Sequence, residues 1–138
     1  MMGLGVVSLG FWTAAAWAGD ISVYKDGLGW ADIRSGGDVY IQGRRKGQIR
    51  TNGDVYLDGR RIGEIQSDGD IYLNGRRHGQ VRDTGDIYIQ GIRKGQVQSD
   101  GDIYHNGLKW GYARDCCSTP EDMRRLSALV VLFSNDFR

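Results

Sequence analysis

The chain repeats a unit of sixteen residues, and this repeat constrains the fold more than any other feature. The segment GDIYLNG at 69–75 returns as GDIYIQG at 85–91. A column of β-branched residues recurs at the same spacing, and a tyrosine follows each of them. The column consists of Val23, Val39, Val55, Ile71, Ile87 and Ile103. A unit this short cannot bury an apolar face alone, so its six copies have to pack on one another.

Each unit contains two turn signals, which together predict a β-hairpin. In the third unit these signals are Asn52-Gly53 and Asp58-Gly59. Asn-Gly and Asp-Gly supply the positive φ angles that two-residue hairpin turns require. The chain has 22 glycines but only one proline, which suits many tight turns better than a disordered linker. One unit therefore forms one hairpin, and six units form about twelve short antiparallel strands.

The residue pattern between the turns defines the two faces of each hairpin. Alternation places Val55 and Leu57 on one face and Tyr56 on the other. Gly63 interrupts the longer strand, which indicates a bulge or a bend. An open sheet of about twelve strands would have two unprotected edges, so we predict an all-β closed ring or shallow barrel. The aliphatic faces, with Ile65 among them, are expected to point inward.

The C-terminal segment predicts a helix that is buried on all sides. Thr119 suits the N-cap, Pro120 suits the first helical position, and two acidic residues follow. From Leu126 the chain reads LSALVVLF, and a helix that is apolar on every side belongs in a core. We therefore expect a repeat domain at 19–115, followed at 116–138 by a helix that either threads the lumen or caps one end of it.

The first eighteen residues carry no charge and have the pattern of a secretory signal peptide. Ala16-Trp17-Ala18 suits a cleavage site, and the apolar run before it is short for a membrane span. The basic residues that usually precede such a run are missing. Cleavage predicts a secreted or periplasmic chain of residues 19–138 without a transmembrane span. Without cleavage, the segment is either a membrane anchor or a hydrophobic part of the folded domain.

The repeat carries a resemblance to a known type of protein. Its form is Gly-Asp-(Ile/Val)-Tyr-(Ile/Leu)-x-Gly-x-x-x-Gly-x-(Ile/Val), and over residues 19–113 it resembles the bacterial β-flower type. That resemblance implies a shallow ring of short hairpins and assigns no activity. In architecture alone, twelve strands with an apolar helix are similar to tubby-like and scramblase-like barrels, which implies lipid headgroups as ligands. The segment 72–81 also looks like a MORN repeat, although the MORN period is longer.

Charge is distributed unevenly within each unit although the whole chain is nearly neutral. The formal net charge of +1 excludes a bulk field that would attract nucleic acid or a membrane. An aspartate such as Asp54 precedes the β-branched column, and a basic pair such as Arg60-Arg61 follows the turn glycine. These groups are about 13–20 Å apart at about 3.3 Å per residue. We therefore expect aspartates on one rim of the ring and basic residues on the other.

The basic rim is the candidate binding site. Its residues are Arg44, Arg45, Arg60, Arg61, Arg76, Arg77, Arg93 and Lys94. Arginine favours bidentate contact with phosphate or sulfate, so the expected partners are a lipid headgroup or an anionic glycan. The same charges also suit hairpins that only need to resist aggregation, in which case the domain is a structural module for protein partners. We expect a non-enzymatic binding or scaffold domain without a specific nucleic-acid partner.

The tyrosine column is expected to form an outward-facing girdle around the ring. Tyrosine packs well across strands, so the girdle fits a structural role. It also fits a surface that binds a sugar or a partner, because tyrosine joins a flat apolar face to a polar tip.

The sequence provides no pattern that points to catalysis or to a cofactor. His78 and His105 lie at non-equivalent positions, without a cysteine or carboxylate at a recognisable spacing. No G-x-S-x-G, H-E-x-x-H or phosphate-loop motif occurs. The Asp-Gly-Asp triplets lack the other ligands of a calcium loop, so no metal site, catalytic residue or cofactor is predicted. The alternative to a binding or scaffold domain is an enzyme with its active site in the mouth of the ring.

Cys116 and Cys117 are the only cysteines of the chain. In an oxidising compartment they allow a vicinal disulfide, a bridge between two chains, or buried free thiols. We expect buried thiols at the entry to the helix, because free cysteine behaves as a small hydrophobic residue. The sequence is compatible with a monomer and with a disulfide-linked dimer.

Overall fold

The structure, a computed structural model, describes residues 19–137 and is a closed barrel of twelve antiparallel strands with one helix. The predicted all-β ring is confirmed. The strands are β1 (Ile21–Lys25), β2 (Leu28–Ile33), β3 (Asp38–Ile41), β4 (Arg44–Ile49), β5 (Asp54–Leu57), β6 (Arg60–Ile65), β7 (Asp70–Leu73), β8 (Arg76–Val81), β9 (Asp86–Ile89), β10 (Ile92–Val97), β11 (Asp102–His105) and β12 (Leu108–Arg114), and the helix is α1 (Pro120–Phe133). The predicted signal peptide at 1–18 lies outside the described residues.

Consecutive strands pair as six hairpins, and the ring closes between the last hairpin and the first. β1 and β2 form hairpin 1, β3 and β4 form hairpin 2, and the pattern continues to β11 and β12 in hairpin 6. At the closure β12 pairs with β1, so that Tyr112 lies opposite Tyr24 and Ala113 opposite Val23. The two edges of the sheet therefore satisfy each other's backbone groups.

The turn inside each hairpin contains two residues, as predicted. In hairpin 3 the φ angle is 51° at Asp58 and 81° at Gly59. Two positive angles in succession define a type I′ turn, whose twist matches the twist of the strands that it joins. The equivalent turns have the same pair of positive angles. They are Asp26-Gly27, Gln42-Gly43, Asn74-Gly75, Gln90-Gly91 and Asn106-Gly107.

The connections between hairpins are three-residue turns, so the prediction of two-residue turns is wrong there. Between β4 and β5 the φ angle of Gly53 is 96°, and its N–H donates to the carbonyl of Arg50 at 2.9 Å. The side chain of Asn52 accepts the N–H of Asp54 at 3.0 Å. An asparagine that bonds the backbone two residues further on stabilises an ordinary turn conformation, so only the glycine takes a positive φ.

Each hairpin contains one β-bulge, as the strand glycine indicated. In hairpin 3 the register shifts after Val55, and Ile62 is skipped in the pairing. The carbonyl of Ile62 accepts the N–H of Asn74 in the next hairpin at 2.8 Å. The equivalent bond from Asp26 N–H to the carbonyl of Trp110, at 3.3 Å, joins the first hairpin to the last. The bulges thus connect neighbouring hairpins all around the ring.

Helix α1 threads the lumen. The seven residues Leu126–Leu132 are at most 1% exposed, so the helix is covered on every side. Met123 packs beside Gly85, in the three-residue turn between β8 and β9. Asp136, just after the helix, bonds to Lys25 beside the two-residue turn of hairpin 1. The helix therefore runs from one end of the barrel to the other, which excludes the alternative that it only caps one end.

The wall of the lumen is aliphatic, as predicted. Val55 and Ile65 are buried and belong to the same core as the helix. Leu57 is only half-buried, so its expected full burial is wrong. The equivalent Ile41 and Leu73 are half-buried as well, whereas Ile89 is buried.

The helix begins as its sequence predicts. Thr119 is the N-cap, and its Oγ1 accepts the N–H of Asp122 at 3.1 Å. Pro120 occupies the first position, where its missing N–H leaves no bond unmade. No helix in residues 19–137 has the length and the apolar run that a bilayer span requires.

Candidate functional site

The two ends of the barrel differ in chemistry. The tip end carries the two-residue turns, and the entry end carries the three-residue turns and the start of α1. The first strand residue after each two-residue turn is named here a tip position. In chain order the tip positions are Leu28, Arg44, Arg60, Arg76, Ile92 and Leu108.

The outer wall of the barrel carries a series of ion pairs, which contradicts the predicted separation of charge. In hairpin 3, Arg61 Nη2 lies 3.0 Å from Asp54 Oδ1. The equivalent pairs, at 3.0–3.4 Å, are Arg45–Asp38, Arg77–Asp70, Arg93–Asp86 and Lys109–Asp102. The two strands of a hairpin are only about 4.8 Å apart, so a long arginine reaches diagonally across to the aspartate. Spacing along one strand therefore overestimated the distance between these charges.

These ion pairs compensate half of the predicted basic residues. The Asp54 carboxylate accepts a hydrogen bond from the Arg61 guanidinium and thereby raises the pKa of Arg61 above its ordinary value. Arginine is charged at any physiological pH, so the ion pair neutralises the charge of Arg61 permanently and does not act as a pH switch. The candidate residues held in this way are Arg45, Arg61, Arg77 and Arg93.

Three other candidate residues are uncompensated cations at the tip end. Arg44, Arg60 and Arg76 are exposed, and within residues 19–137 none has a carboxylate at ion-pair distance. They belong to hairpins 2, 3 and 4, which are consecutive around the ring. Lys94, the remaining candidate, is half-buried at the bulge of hairpin 5. The structure therefore gathers three of the eight predicted residues into one cationic arc.

The other three tip positions are apolar, and this was missed from the sequence. Leu28, Ile92 and Leu108 are 73%, 60% and 75% exposed. Their hairpins 5, 6 and 1 are consecutive because β12 pairs with β1. The sequence does contain this pattern, because the six tip positions in chain order are Leu, Arg, Arg, Arg, Ile and Leu. Ring closure makes hairpins 6 and 1 neighbours, so these three aliphatic tips are consecutive around the rim and are named here the apolar arc. Between Leu108 and Leu28 lies the end of β1, where Lys25 bonds to Asp136.

An aromatic cluster adjoins the apolar arc. Trp30 and Trp110 occupy the bulge positions two residues after the tip leucines of hairpins 1 and 6. Their rings meet edge to face at 5.4 Å between centroids, and Phe137 contacts Trp110 at 5.7 Å. The apolar core thus continues from the lumen to the tip end on this side of the barrel.

Arginines at the entry end pack on the tyrosine girdle, and the predicted charge separation did not include them. The guanidinium of Arg50 lies 4.1 Å from the ring centroid of Tyr56. The equivalent pairs are Arg34–Tyr40 at 4.3 Å, Arg82–Tyr88 at 4.0 Å and, across the ring closure, Arg114–Tyr24 at 5.2 Å. Such contacts are favourable between a cation and an aromatic face. One face of these rings is therefore occupied, which weakens the interpretation of the girdle as a sugar-binding surface.

A cleft of about 600 Å³ opens at the entry end, between α1 and the neighbouring turns. Its walls carry Arg50, Arg124 and Arg125 together with the acidic Glu121 and Asp122. Arg125 Nη2 donates to a backbone carbonyl at 3.0 Å, and its Nη1 lies 3.7 Å from Asp122. Arg50 packs on a tyrosine, as described above. Because two of the three cations are engaged and the walls have mixed charge, the cleft is a weaker candidate than the tip end.

Cys116 and Cys117 form a disulfide with each other, so the expectation of buried free thiols is wrong. The junction between β12 and α1 holds the two side chains together, with the Cys117 N–H bonded to the carbonyl of Ser99 at 2.9 Å. The chain has no third cysteine that could compete for either of them.

The histidines lie apart from each other. His78 occupies the bulge of hairpin 4, and His105 ends β11 against Phe137, with 4.7 Å between ring centroids. Within the described part of the chain, no three His, Cys, Asp or Glu side chains are grouped so that they could hold a metal ion.

Comparison of the chain with protein-family models, with curated proteins and with solved structures finds no match. The resemblance to the β-flower type therefore stays a prediction. Function has to be argued from the chemistry of the tip end.

Proposed function

We propose that this domain is a non-enzymatic binding module whose tip end takes a ligand with several anionic groups, either phosphates or sulfates. The observation that carries the proposal is the cationic arc of Arg44, Arg60 and Arg76. Each of these arginines is exposed, and none is paired with a carboxylate in residues 19–137. Their immediate neighbours along the chain are paired, whereas these three and Lys46 of hairpin 2 are exposed and have no carboxylate at ion-pair distance in residues 19–137.

The geometry of the arc suits a multivalent anion. Equivalent residues of adjacent hairpins are separated by two strands, which is about 10 Å at about 4.8 Å per strand. The repeat places all three side chains at the same height on the barrel. Guanidinium groups bind phosphate or sulfate through two parallel hydrogen bonds. A ligand with several such groups can therefore contact two or three arginines at once, and each contact strengthens the others.

The uncharged leader at 1–18 supports an extracytoplasmic place for this binding, because it has the pattern of a secretory signal. The proposed ligand is then an anionic group that is presented outside the cytoplasm.

Two variants of equal charge test the proposal. The first replaces Arg44, Arg60 and Arg76 with serine. The second replaces their paired neighbours Arg45, Arg61 and Arg77 with serine. Both variants lose three positive charges, so they weaken long-range attraction to the same degree. Only the first loses the three unpaired arginines of the tip positions.

The assay measures binding of the chain 19–138 to two probes at low salt. The probes are phosphatidylcholine vesicles that contain phosphatidylserine, and heparin as a soluble sulfated glycan. Residues 19–137 by themselves close and fill the barrel, so the leader, which would bind vesicles through its apolar run, is omitted. We expect the Arg44, Arg60 and Arg76 variant to lose at least about tenfold in affinity and the paired variant to lose clearly less. Equal losses in the two variants would overturn the assignment of the site.

A further inference from the structure

The apolar arc is not required by the hairpin fold. Leu28, Ile92 and Leu108 occupy the same position of the repeat as the three tip arginines. A hairpin of this repeat therefore closes equally well with a charged residue at the tip. Among the described residues nothing covers the three aliphatic side chains, which are 60–75% exposed. Three exposed aliphatic side chains in consecutive hairpins of one rim can enter the same apolar partner together.

The two arcs lie at the same height on the same end of the barrel. Because one repeat generates all six tip positions, the aliphatic and the arginine side chains extend from one rim. A partner that matches both arcs therefore offers an apolar region beside an anionic one. A sulfated glycan offers anions but no apolar layer. A lipid bilayer with anionic headgroups offers phosphates at its surface and hydrocarbon immediately below.

We infer that the tip end docks on an anionic lipid bilayer, with Leu28, Ile92 and Leu108 inserted below the headgroups and the arginine arc on the phosphates. This inference rests on the proposed function and names its ligand. Trp30, the more exposed of the two tryptophans beside the apolar arc, then lies at the level of the headgroups, where tryptophan is favoured. The barrel stands on the membrane by one end, and the entry end faces the solvent.

The two tryptophans provide a direct test of this orientation. In the chain 19–138 they are the only tryptophans, and both belong to the tip end. We expect their fluorescence to shift to shorter wavelength on phosphatidylserine-containing vesicles. Lipids brominated on the upper part of the acyl chain should quench it, whereas water-soluble acrylamide should quench it less than in the free protein. Binding to heparin should give neither change.

An apolar variant separates membrane docking from simple anion binding. It combines Leu28→Ser, Ile92→Ser and Leu108→Ser. Its control combines Leu28→Ile, Ile92→Leu and Leu108→Ile, which keeps the tips apolar. We expect the serine variant to bind phosphatidylserine-containing vesicles at least about tenfold more weakly than the control, because it loses the insertion of three side chains. Its affinity for heparin should stay within about twofold of the wild type, because the arginine arc is intact.

The outcomes distinguish failure of the inference from failure of the proposed function. If the serine variant binds the vesicles as well as its control does, the bilayer inference is overturned and anion binding by the arginines stands. If loss of the arginine arc leaves binding to both probes unchanged, the proposed function is overturned. If the wild type forms a dimer in solution that the serine variant lacks, and neither binds vesicles, a second copy of the chain covers the apolar arc and the inference is wrong.

Discussion

The indole Nε1 of Trp110 donates a hydrogen bond to Asp136 Oδ2 at 2.7 Å. Lys25 Nζ donates to the same oxygen at 2.6 Å. Trp110 belongs to the last hairpin and Lys25 to the first, so one carboxylate holds both sides of the closure of the barrel. Within the ring, the last and the first hairpin are the only neighbours not joined by a turn. The segment after α1 thus secures the closure from the tip end.

We expect Asp136→Asn to lower the free energy of unfolding at pH 7 by about 1 kcal/mol, which chemical denaturation measures. Hydrogen bonds to a charged group contribute about 1.5–3 kcal/mol, and solvent reduces this value at a carboxylate that is 36% exposed. The hydrogen bond from Lys25, followed by that from Trp110, lowers the pKa of Asp136. A carboxyl with a lowered folded-state pKa stabilises fully above its unfolded pKa, about 3.9, and loses this contribution as pH falls through the folded value.

The pH dependence provides the control for this prediction. The difference between wild type and Asp136→Asn should be constant between pH 7 and about pH 5, and it should shrink below about pH 4. Other carboxylates titrate in both proteins and cancel in the difference. A difference that is the same at pH 7 and at about pH 2 would show that Asp136 does not contribute through its charge.

Two glycines with positive φ should differ in their tolerance of a side chain. At Gly59 a methyl group meets only open space, so Gly59→Ala should cost about 1 kcal/mol from the backbone conformation alone. At Gly53 a methyl group would also collide with the carbonyl oxygen of Ile65, so Gly53→Ala should cost about 3 kcal/mol. Urea denaturation of the two variants measures both values. Equal costs would mean that the connection between hairpins yields to the methyl group without strain.

Ser127 is the polar exception in the buried face of α1. Its side chain is 0% exposed, and its Oγ has no hydrogen-bond partner among the described residues. We expect Ser127→Ala to leave stability unchanged or to raise it by up to about 1 kcal/mol, because alanine removes an unpaired buried hydroxyl and favours the helix. Thermal unfolding measures the change, and Leu129→Ala, which should cost about 2–5 kcal/mol, is the comparison. A destabilised Ser127→Ala would show that the hydroxyl has a partner in solution.

The cysteines should be unreactive in the oxidised protein. Cys116 and Cys117 are bonded to each other and are the only cysteines of the chain. We therefore expect iodoacetamide to modify neither residue in the unfolded, unreduced chain and both residues after reduction, as counted by intact mass. The chain should migrate as a monomer without reductant. A dimer that reductant dissolves would contradict this pairing.

The local structure was predictable because it depends on residues close together in the chain. The turn at Asp58-Gly59, the bulge beside Gly63 and the cap at Thr119 each follow from a few neighbouring residues. The inward column that includes Val55 follows from alternation along one strand. The turn at Asn52-Gly53 was mispredicted, because a side-chain hydrogen bond competes there with the two-residue form.

The candidate site was only partly predictable, because it depends on side chains that meet across strands. Arg60 and Arg61 are consecutive residues of the same type. Arg61 nevertheless forms an ion pair with Asp54, and Arg60 does not. Which of two neighbouring arginines is compensated depends on the face of the strand that each one takes and on the reach of its side chain. The sequence shows two arginines but does not show which of them forms the ion pair.

By itself the sequence determined a sixteen-residue hairpin, its six-fold repetition, its aliphatic inner face and an apolar helix that must be buried. These are consequences of local conformational preference and of the need to bury apolar surface, and both act on residues near one another. Tertiary structure alone decided that the helix threads the lumen, that four of the eight predicted basic-rim residues are paired, and that the hairpin of Leu28 neighbours the hairpin of Leu108. The physical reason is that the barrel closes. Closure brings the first and last hairpins together, so the apolar residues at the beginning and at the end of the tip column lie on the same side of the rim.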